Sequence, residues 1–147
     1  MVDGADPAVV IRHDVVEVDE FVHVAEADER AVEEARAAID NLFQLFIPAV
    51  VPQDLRALPE DYAYYKEYFA PFKDPENPPP LEVLLDFEIV IAGSPETVEQ
   101  RMRHVIEASD TGHLLTWHHF GGLAYESVLR SEELFATKVM PALRGLA

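Results

Sequence analysis

Apolar residues recur along the chain with two spacings, one typical of strands and one typical of helices. The stretches 21–25, 87–91 and 114–117 are short, largely apolar and rich in valine, isoleucine and leucine, as buried strands are. After each of them, apolar residues follow at steps of three and four, as on one buried face of a helix. Strands that alternate with helices predict an α/β fold with a small, mostly parallel sheet.

The boundaries of the predicted helices follow from capping residues and prolines. In the first helix, about 29–46, we expect Asp28 to be the N-cap and Pro48 to end the helix. The second begins after Gly93, with Ser94 as N-cap and Pro95 at the first helical position. The last helix ends near 141–145, and its predicted inner face carries Tyr125, Val128, Leu129, Phe135, Val139 and Leu143.

The segment 47–86 is predicted to be irregular, since prolines interrupt it throughout. Within it, 61–69 has the pattern of a short helix, with aromatic residues at helical spacing. So long an excursion between elements favours a lid or a binding surface, and an aromatic-anchored loop packed over its own core is the equal alternative. The candidate lid residues are Tyr62, Tyr65, Tyr68 and Phe69.

Length and composition limit the classes of protein. With 147 residues the chain suits a single domain, 1–147, and is shorter than the roughly 250 residues of a complete (β/α)8 barrel. No apolar run approaches the roughly 20 residues of a membrane span. The absence of cysteine and of a signal-like N-terminal region indicates a cytoplasmic protein. A net charge of −17 argues against a nucleic-acid partner, and the acidic residues are read as a solvated surface.

Two histidines at the end of the third strand are the main candidates for chemistry. His118 and His119 are adjacent, so in a regular strand their side chains point to opposite faces and do not ligate one metal ion together. We therefore predict no metal site. One imidazole, that of His119, shares its parity with Trp117 and is the candidate for a catalytic group near a ligand, and plain packing is the alternative. His13 and His23 are interpreted as ordinary strand or surface residues.

The turn at Gly93-Ser94-Pro95 has two interpretations. A strand followed by a glycine and a helix N-terminus presents free N–H groups to an anion, as in phosphate sites. A single glycine without a fuller glycine-rich pattern favours structural capping instead. The chain contains no cysteine and no G-x-S-x-G pattern, so the sequence gives little support to nucleophilic catalysis.

Several short sequences resemble the C-terminal end of the bacterial-luciferase-like flavin monooxygenases. They are VAEADE at 24–29, AGSPETV at 92–98, FGGL at 120–123, LRS at 129–131 and VMP at 139–141. The resemblance extends over roughly 20–147, and a threonine is frequent in that family where Ala27 stands here.

The resemblance implies part of a (β/α)8 barrel, that is, TIM-barrel-like β-α units truncated relative to the full barrel. Complete members bind reduced FMN and use oxygen to oxidise an aldehyde, ketone, alkane or similar substrate. The segment 47–86 then corresponds to a loop that closes over the flavin. Trp117, His119, Phe120 and Gly121 are the candidate cofactor contacts. The family's flavin phosphate is held mainly by the middle of the barrel, so we expect FMN not to be bound by this chain alone.

A partial barrel also implies a partner, because an open sheet exposes strand edges and apolar side chains that another surface must cover. In one hypothesis a separately encoded N-terminal barrel portion covers them, and the chain is a subunit of an FMN-dependent oxygenation system. In the alternative the chain is a homo-oligomer, a flavin-free binding or structural module. A third hypothesis is a small enzyme with His119 as base in a new pocket lined by Trp117 and tyrosines.

Overall fold

The computed structural model describes residues 17–46, 49, 54, 59–62, 79–109, 113–144 and 146. The described strands are β1 (Glu17–Val24), β2 (Val90–Gly93) and β3 (His113–Trp117). The α-helices are α1 (Asp28–Asn41), α2 (Leu81–Asp86), α3 (Pro95–Ser109), α4 (Tyr125–Leu134) and α5 (Met140–Leu143). A π-helical turn, Leu42–Phe46, extends α1, a second, Phe135–Val139, joins α4 to α5, and Glu60–Tyr62 forms a 3-10 turn.

The strands form a parallel sheet in the order β2-β1-β3, so the first strand of the chain lies in the centre. Phe21 is opposite Val90 on one side and opposite Trp117 on the other. Since β3 ends at Trp117, the last residues of β1 extend beyond it. The predicted α/β fold with a small parallel sheet is confirmed.

Helices cover both faces of the sheet. α1 packs on one face and α3 on the other, which is the arrangement that the rule of right-handed crossovers predicts for the strand order β2-β1-β3. The α1 face contains one apolar core, to which Ala35, Ile39 and Val90 belong. The α3 face contains the other, with Val22, Val24, Ile91, Met102 and Val139. The central strand is therefore enclosed, and Val22, His23 and Val24 are fully buried.

The two predicted N-caps have different outcomes. Ser94 caps α3 as predicted, since its Oγ accepts a hydrogen bond from the Thr97 N–H at 3.4 Å. Asp28 as N-cap is wrong, because α1 begins at Asp28 itself and Ala27 is the capping residue. The Asp28 carboxylate instead accepts a hydrogen bond of 2.6 Å from the Ser94 N–H, so it joins the starts of the two helices.

The second strand begins later than its apolar pattern predicted. Within the segment expected to be irregular, Leu81–Asp86 forms α2, and Leu81 and Leu84 are buried against the α1 face. A turn follows in which Phe87 is 74% exposed and Glu88 has a φ of +59°. The register with β1 begins at Val90, where the Phe21 N–H donates to the preceding Ile89 carbonyl at 3.4 Å, because residues 87 and 88 are used to reverse the chain after α2.

The predicted inner face of the last helix is correct in part. Val128 and Val139 are buried, whereas Tyr125 is 69% exposed and Leu129 is 46% exposed. The reason is that α4 meets the end of β1 along the line of Val128 and Ser131, and Tyr125 and Leu129 lie off that line. The candidate lid residues Tyr65, Tyr68 and Phe69, the side chain of Tyr62, and Pro48 lie outside the described residues.

Candidate functional site

A pocket of about 440 Å³ lies where β3 ends. Its walls come from three places: the middle of β1, the end of α1 with its π-helical turn, and the loop that follows β3. The lining residues are Phe21, Asn41, Leu42, Leu45, Trp117, His119, Phe120, Gly121 and Gly122. The volume is within the range of small-molecule sites, roughly 300–1,000 Å³, and the lining is largely apolar with few polar groups.

Three aromatic rings form one wall of the pocket. Phe21, on the central strand, meets Trp117 edge to face at a centroid distance of 5.7 Å and Phe120 at 5.3 Å. Such pairs fix the orientation of each ring. Phe120 is almost fully buried, whereas Trp117 is 48% exposed. The wall is therefore anchored in the core at Phe120 and open to a ligand at Trp117.

A glycine turn holds the loop after β3 against α1. Gly121 has a φ of +56°, and a Cβ at this position would lie 1.7 Å from the carbonyl oxygen of Ala38. The Gly121 carbonyl also accepts a hydrogen bond of 3.0 Å from the Asn41 side chain. Only glycine allows this approach of two backbones, so it sets the position of the pocket loop.

The four residues proposed as cofactor contacts lie together: Trp117, His119, Phe120 and Gly121 all line the pocket. His118 lies on the other side of the chain, as strand alternation predicted for the adjacent pair. Its ring packs edge to face on Phe135 at 4.8 Å, and its Nδ1 is 3.4 Å from the Ser131 hydroxyl. A catalytic role for His119 stays a prediction.

Apolar surface continues from the pocket along the outside of the sheet. Leu45 is 73% exposed and Leu115 is 46% exposed, next to the half-exposed ring of Trp117. β3 is at the edge of the described sheet, and its sequence, HLLTW, has no Asp, Glu, Lys or Arg. Solvent-exposed edge strands usually carry charges that prevent pairing with other chains. This edge lacks them in a chain of net charge −17.

A buried polar network at the end of β1 was missed by the sequence analysis, which interpreted His23 as an ordinary histidine. The His23 ring is fully buried, and its Nε2 is 2.7 Å from the Glu34 carboxylate. The same carboxylate accepts hydrogen bonds from Arg130 at 2.7 and 2.8 Å and from Arg30 at 2.9 Å. The available signal was the position of His23 between two buried valines in the central strand.

Burial and these contacts shift the pKa values of the network. Burial lowers the pKa of His23, although the hydrogen bond and charge of Glu34 oppose the shift. Burial also lowers the pKa of His118, and a charge on His23 would lower it further. For Glu34, burial alone would raise the pKa, but hydrogen bonds from His23 and Arg30 and the charge of Arg130 outweigh it and hold the pKa below its ordinary value.

The turn before α3 supports the structural interpretation of Gly93-Ser94-Pro95. The Ser94 N–H, which an anion would need, already donates to the Asp28 carboxylate. This hydrogen bond, with one from Thr97, lowers the pKa of Asp28. A Cβ on Gly93 would lie 2.8 Å from the Thr97 side chain and 3.0 Å from the Asp28 carboxylate, so glycine makes room for the contact.

Within the part of the chain that the structure describes, neither a metal-binding cluster nor a membrane-spanning helix is found. Among the described residues, no group of three or more His, Asp or Glu side chains is arranged to hold a metal ion. None of the helices in that part of the chain is both long enough and apolar enough to cross a membrane.

The sequence matches no protein-family profile and has no significant match to a curated protein. The fold is similar to part of a solved structure, the oxygenating constituent of 3,6-diketocamphane monooxygenase from the CAM plasmid of Pseudomonas putida, a type II Baeyer-Villiger monooxygenase in complex with FMN. The TM-score is 0.53 with 22% sequence identity, and 86% of this chain is covered. The chain spans only 33% of the length of that protein. The likeness shows that this chain has the fold of one part of a larger monooxygenase.

Proposed function

We propose that this chain forms one wall of an FMN site in a luciferase-like flavin monooxygenase, within an assembly that supplies the remaining barrel strands. The observation that carries the proposal is the aromatic pocket at the end of β3, in a fold that matches a third of an FMN-bound monooxygenase. Active sites of barrel enzymes lie at the carboxyl ends of their strands, which is where Trp117 and His119 stand.

The pocket suits the ring system of a flavin. The isoalloxazine is planar and aromatic, and the half-exposed ring of Trp117 offers an apolar aromatic surface on which it could stack, with the edge-to-face contact of Phe21 holding that ring in place. His119, at the rim, provides a polar group for a hydrogen bond to the ring or to a substrate. When bound, reduced FMN supplies the electrons with which oxygen is activated.

The pocket does not suit the phosphate of FMN. None of the described residues that line it is a lysine or an arginine. The N-terminus of α3, the other candidate for an anion, is occupied by the Asp28 carboxylate. A phosphate dianion needs cationic or N–H donors, so in this proposal they come from another part of the assembly.

The missing part would also cover the edge of the sheet. The outer side of β3 has no charged residue and leaves Leu115 and Trp117 half exposed, beside Leu45. Burying these side chains favours association with a partner by the hydrophobic effect. In this proposal the lid residues Tyr62, Tyr65, Tyr68 and Phe69 close over the ligand from this chain.

Paired titrations of FMN and riboflavin, followed by the quenching of flavin fluorescence, test the proposal on the purified chain. The two ligands share the ring and differ in the phosphate. This chain alone lacks donors for the phosphate and should not hold FMN tightly, so we expect only a weak and equal affinity for the two ligands, with Kd on the order of 0.1 to 1 mM, through the ring that they share. Trp117→Ala removes the half-exposed ring and should abolish binding, whereas Phe87→Ala, which removes a more exposed aromatic ring outside the pocket, should not.

The other outcomes separate the hypotheses. FMN that binds much more tightly than riboflavin would mean that this chain holds the phosphate, contrary to the proposal. Binding that survives Trp117→Ala would place the flavin elsewhere. If neither ligand binds at millimolar concentration, the chain forms no flavin wall.

The alternative, a flavin-free self-associating module, has one observation in its favour. The uncharged edge of β3 is where two copies of a chain of net charge −17 would meet with least repulsion. Light scattering measures the mass. A defined dimer that binds no flavin and dissociates with Trp117→Lys would support the module, and a monomer at all concentrations would exclude it.

A further inference from the structure

α4 is bound to the end of the central strand β1, at a point where β1 extends beyond its neighbour β3. β3 ends at Trp117, opposite Phe21, so the N–H of Val24 has no partner on β3. It donates instead to the Ser131 hydroxyl of α4, at 2.8 Å, and both groups are buried. α4 thus continues the edge of the sheet beyond β3, through a side-chain hydroxyl.

Two histidines flank this bond. His118 follows β3 and lies 3.4 Å from the Ser131 hydroxyl through its Nδ1, with its ring on Phe135. His23 precedes Val24 on β1, fully buried, and its Nε2 contacts Glu34 of α1 at 2.7 Å. A positive charge on His23 acts on His118 across the same space.

A protonated His23 is poorly accommodated. Its Nδ1 is buried and has no hydrogen-bond partner among the described residues, so protonation would create an N–H donor without an acceptor. A buried donor left without a partner loses its hydrogen bonds to water and gains none in return, so the charged form is disfavoured. The Glu34 carboxylate stabilises a positive charge on His23 only in part, because it is already paired with the positive charges of Arg130 and Arg30.

The charged groups that act on the two rings come from α1, the turn before it and α4. α1 contributes Glu34 and Arg30, and the turn before it contributes Glu26, which binds Arg30 at 2.9 Å. α4 contributes Arg130, and Glu132 favours the charged form of His118. For both rings burial is the largest influence, and it disfavours the charged form.

We infer that His23, His118 and Ser131 form an acid-sensitive junction between β1 and α4, which is closed while both imidazoles are neutral and opens when they are protonated. Opening frees the Val24 N–H and releases α4 from the end of the strand. His118 is adjacent to His119, the first of the loop residues 119–122 that line the pocket. Opening of the junction therefore also loosens this loop. Mild acid would then release a ligand from the pocket, whatever that ligand is.

Amide hydrogen exchange measured by NMR tests the junction on the intact chain. The reporter is the Val24 amide, which donates to Ser131, and the internal reference is the Ala25 amide, which donates to Gly93 on the β2 side at 3.1 Å. Between pH 7.0 and 5.5 we expect the protection factor of Val24, corrected for intrinsic exchange, to fall roughly tenfold for each imidazole that takes up a proton on opening, because an imidazole of ordinary pKa, about 6.5, becomes protonated over this range. The protection factor of Ala25 should hold.

Variants assign the effect to the histidines. His23→Gln keeps a donor for Glu34, and His118→Asn keeps a polar atom near the position of Nδ1, while neither can be protonated. Each should reduce the pH dependence at Val24, and both together should remove it. The matched control is His104→Asn, which alters a histidine-glutamate pair of the same 2.7 Å length that is 70% exposed on α3.

Three results would overturn the junction. Val24 protection that does not change between pH 7.0 and 5.5 shows that the histidines do not control it. A parallel loss of protection at Ala25 means that the sheet unfolds as a whole. An undiminished pH dependence in the double variant assigns the effect to other groups. The first two results need no variant, so a variant that fails to fold does not remove the test.

Discussion

The backbone N–H of Val24 donates a 2.8 Å hydrogen bond to the hydroxyl of Ser131, which lies 107 residues further along the chain. This bond takes the place that a longer β3 would fill, and it fixes α4 at the end of the central strand. Since both groups are fully buried, water cannot replace either partner.

Ser131→Ala should therefore destabilise the protein by about 1–3 kcal/mol, the cost of a buried N–H left without a partner. The free energy of unfolding from urea denaturation measures the loss. Ser109→Ala is the control, because the Ser109 hydroxyl donates at 2.7 Å to a carbonyl of its own helix and leaves no buried N–H unpaired when removed. Equal losses in the two variants would contradict the importance of the Val24 bond.

The two glycines of the pocket loop should differ sharply in their tolerance of alanine. A Cβ on Gly121 would meet the Ala38 carbonyl at 1.7 Å, which neither backbone can accept without moving. A Cβ on Gly122 would have no atom closer than 3.8 Å, although its φ of +80° also disfavours a side chain. We expect Gly122→Ala to cost about 1–2 kcal/mol, the usual penalty of left-handed backbone.

Gly121→Ala should cost more than about 4 kcal/mol or prevent folding. Thermal unfolding followed by circular dichroism compares the two variants at one pH. Equal melting temperatures would mean that the loop does not contact α1 as the structure describes.

Glu34 should be more important for stability than an exposed carboxylate with a similar contact. Its carboxylate accepts from His23, Arg130 and Arg30, and Glu34→Ala would leave the buried His23 donor without a partner and Arg130 with only its longer contact of 3.7 Å to a carboxylate, that of Glu26. We expect a loss of about 2–4 kcal/mol. Glu82→Ala breaks the pair with Arg36, which has the same 2.7 Å length but is exposed, and it should change stability little. Urea denaturation of both variants checks the difference.

Asp28 should contribute fully to stability above its ordinary pKa of about 3.9 and progressively less below it. Its hydrogen bonds to Ser94 and Thr97 lower the pKa in the folded chain. The unfolded chain then binds a proton first as the pH falls, so the contribution is full above that ordinary pKa and is lost as the pH falls through the lower, folded value. Asp28→Asn should flatten the loss of stability between pH 5 and 2.5.

The control for this prediction is Glu29→Gln. Both residues are in the first turn of α1, so both substitutions remove one charge that favours the helix dipole. The hydrogen bond to Ser94 belongs to Asp28 alone. Urea denaturation across this pH range measures the slopes. A Glu29 variant with the same flattened slope would assign the effect to the dipole.

The sequence predicted well the features that depend on neighbours in the chain. The periodicity of Ala35 and Ile39 predicted α1, Ser94 and Pro95 predicted the start of α3, and the parity of Trp117 and His119 predicted that they share a surface. Each depends on a few consecutive residues. A serine cap followed by proline, and the alternation of side chains along a strand, are both determined by residues next to one another in the sequence.

The features that were missed depend on residues far apart in the sequence. His23, Glu34 and Arg130 meet only because α1 and α4 pack beside β1, and nothing near His23 announces its partners. The central position of β1 depends on which strands pair with each other, and the periodicity of apolar residues gives no information about strand pairing. Asp28 looked like a cap because its true partner, Ser94, lies on another turn.

The strand order has a consequence for synthesis. The central strand leaves the ribosome before either of its neighbours, and the hydroxyl that satisfies Val24 follows 107 residues later. Both edges of β1 stay open until β2 and then β3 have been made, and the core that receives Val22 and Val24 is complete only when Val139 has followed. Native contacts of such long range make folding slow, and an open apolar strand can pair with the wrong chain in the meantime. The strand order therefore leaves β1 open to wrong pairing until the later elements that cover it have been synthesised.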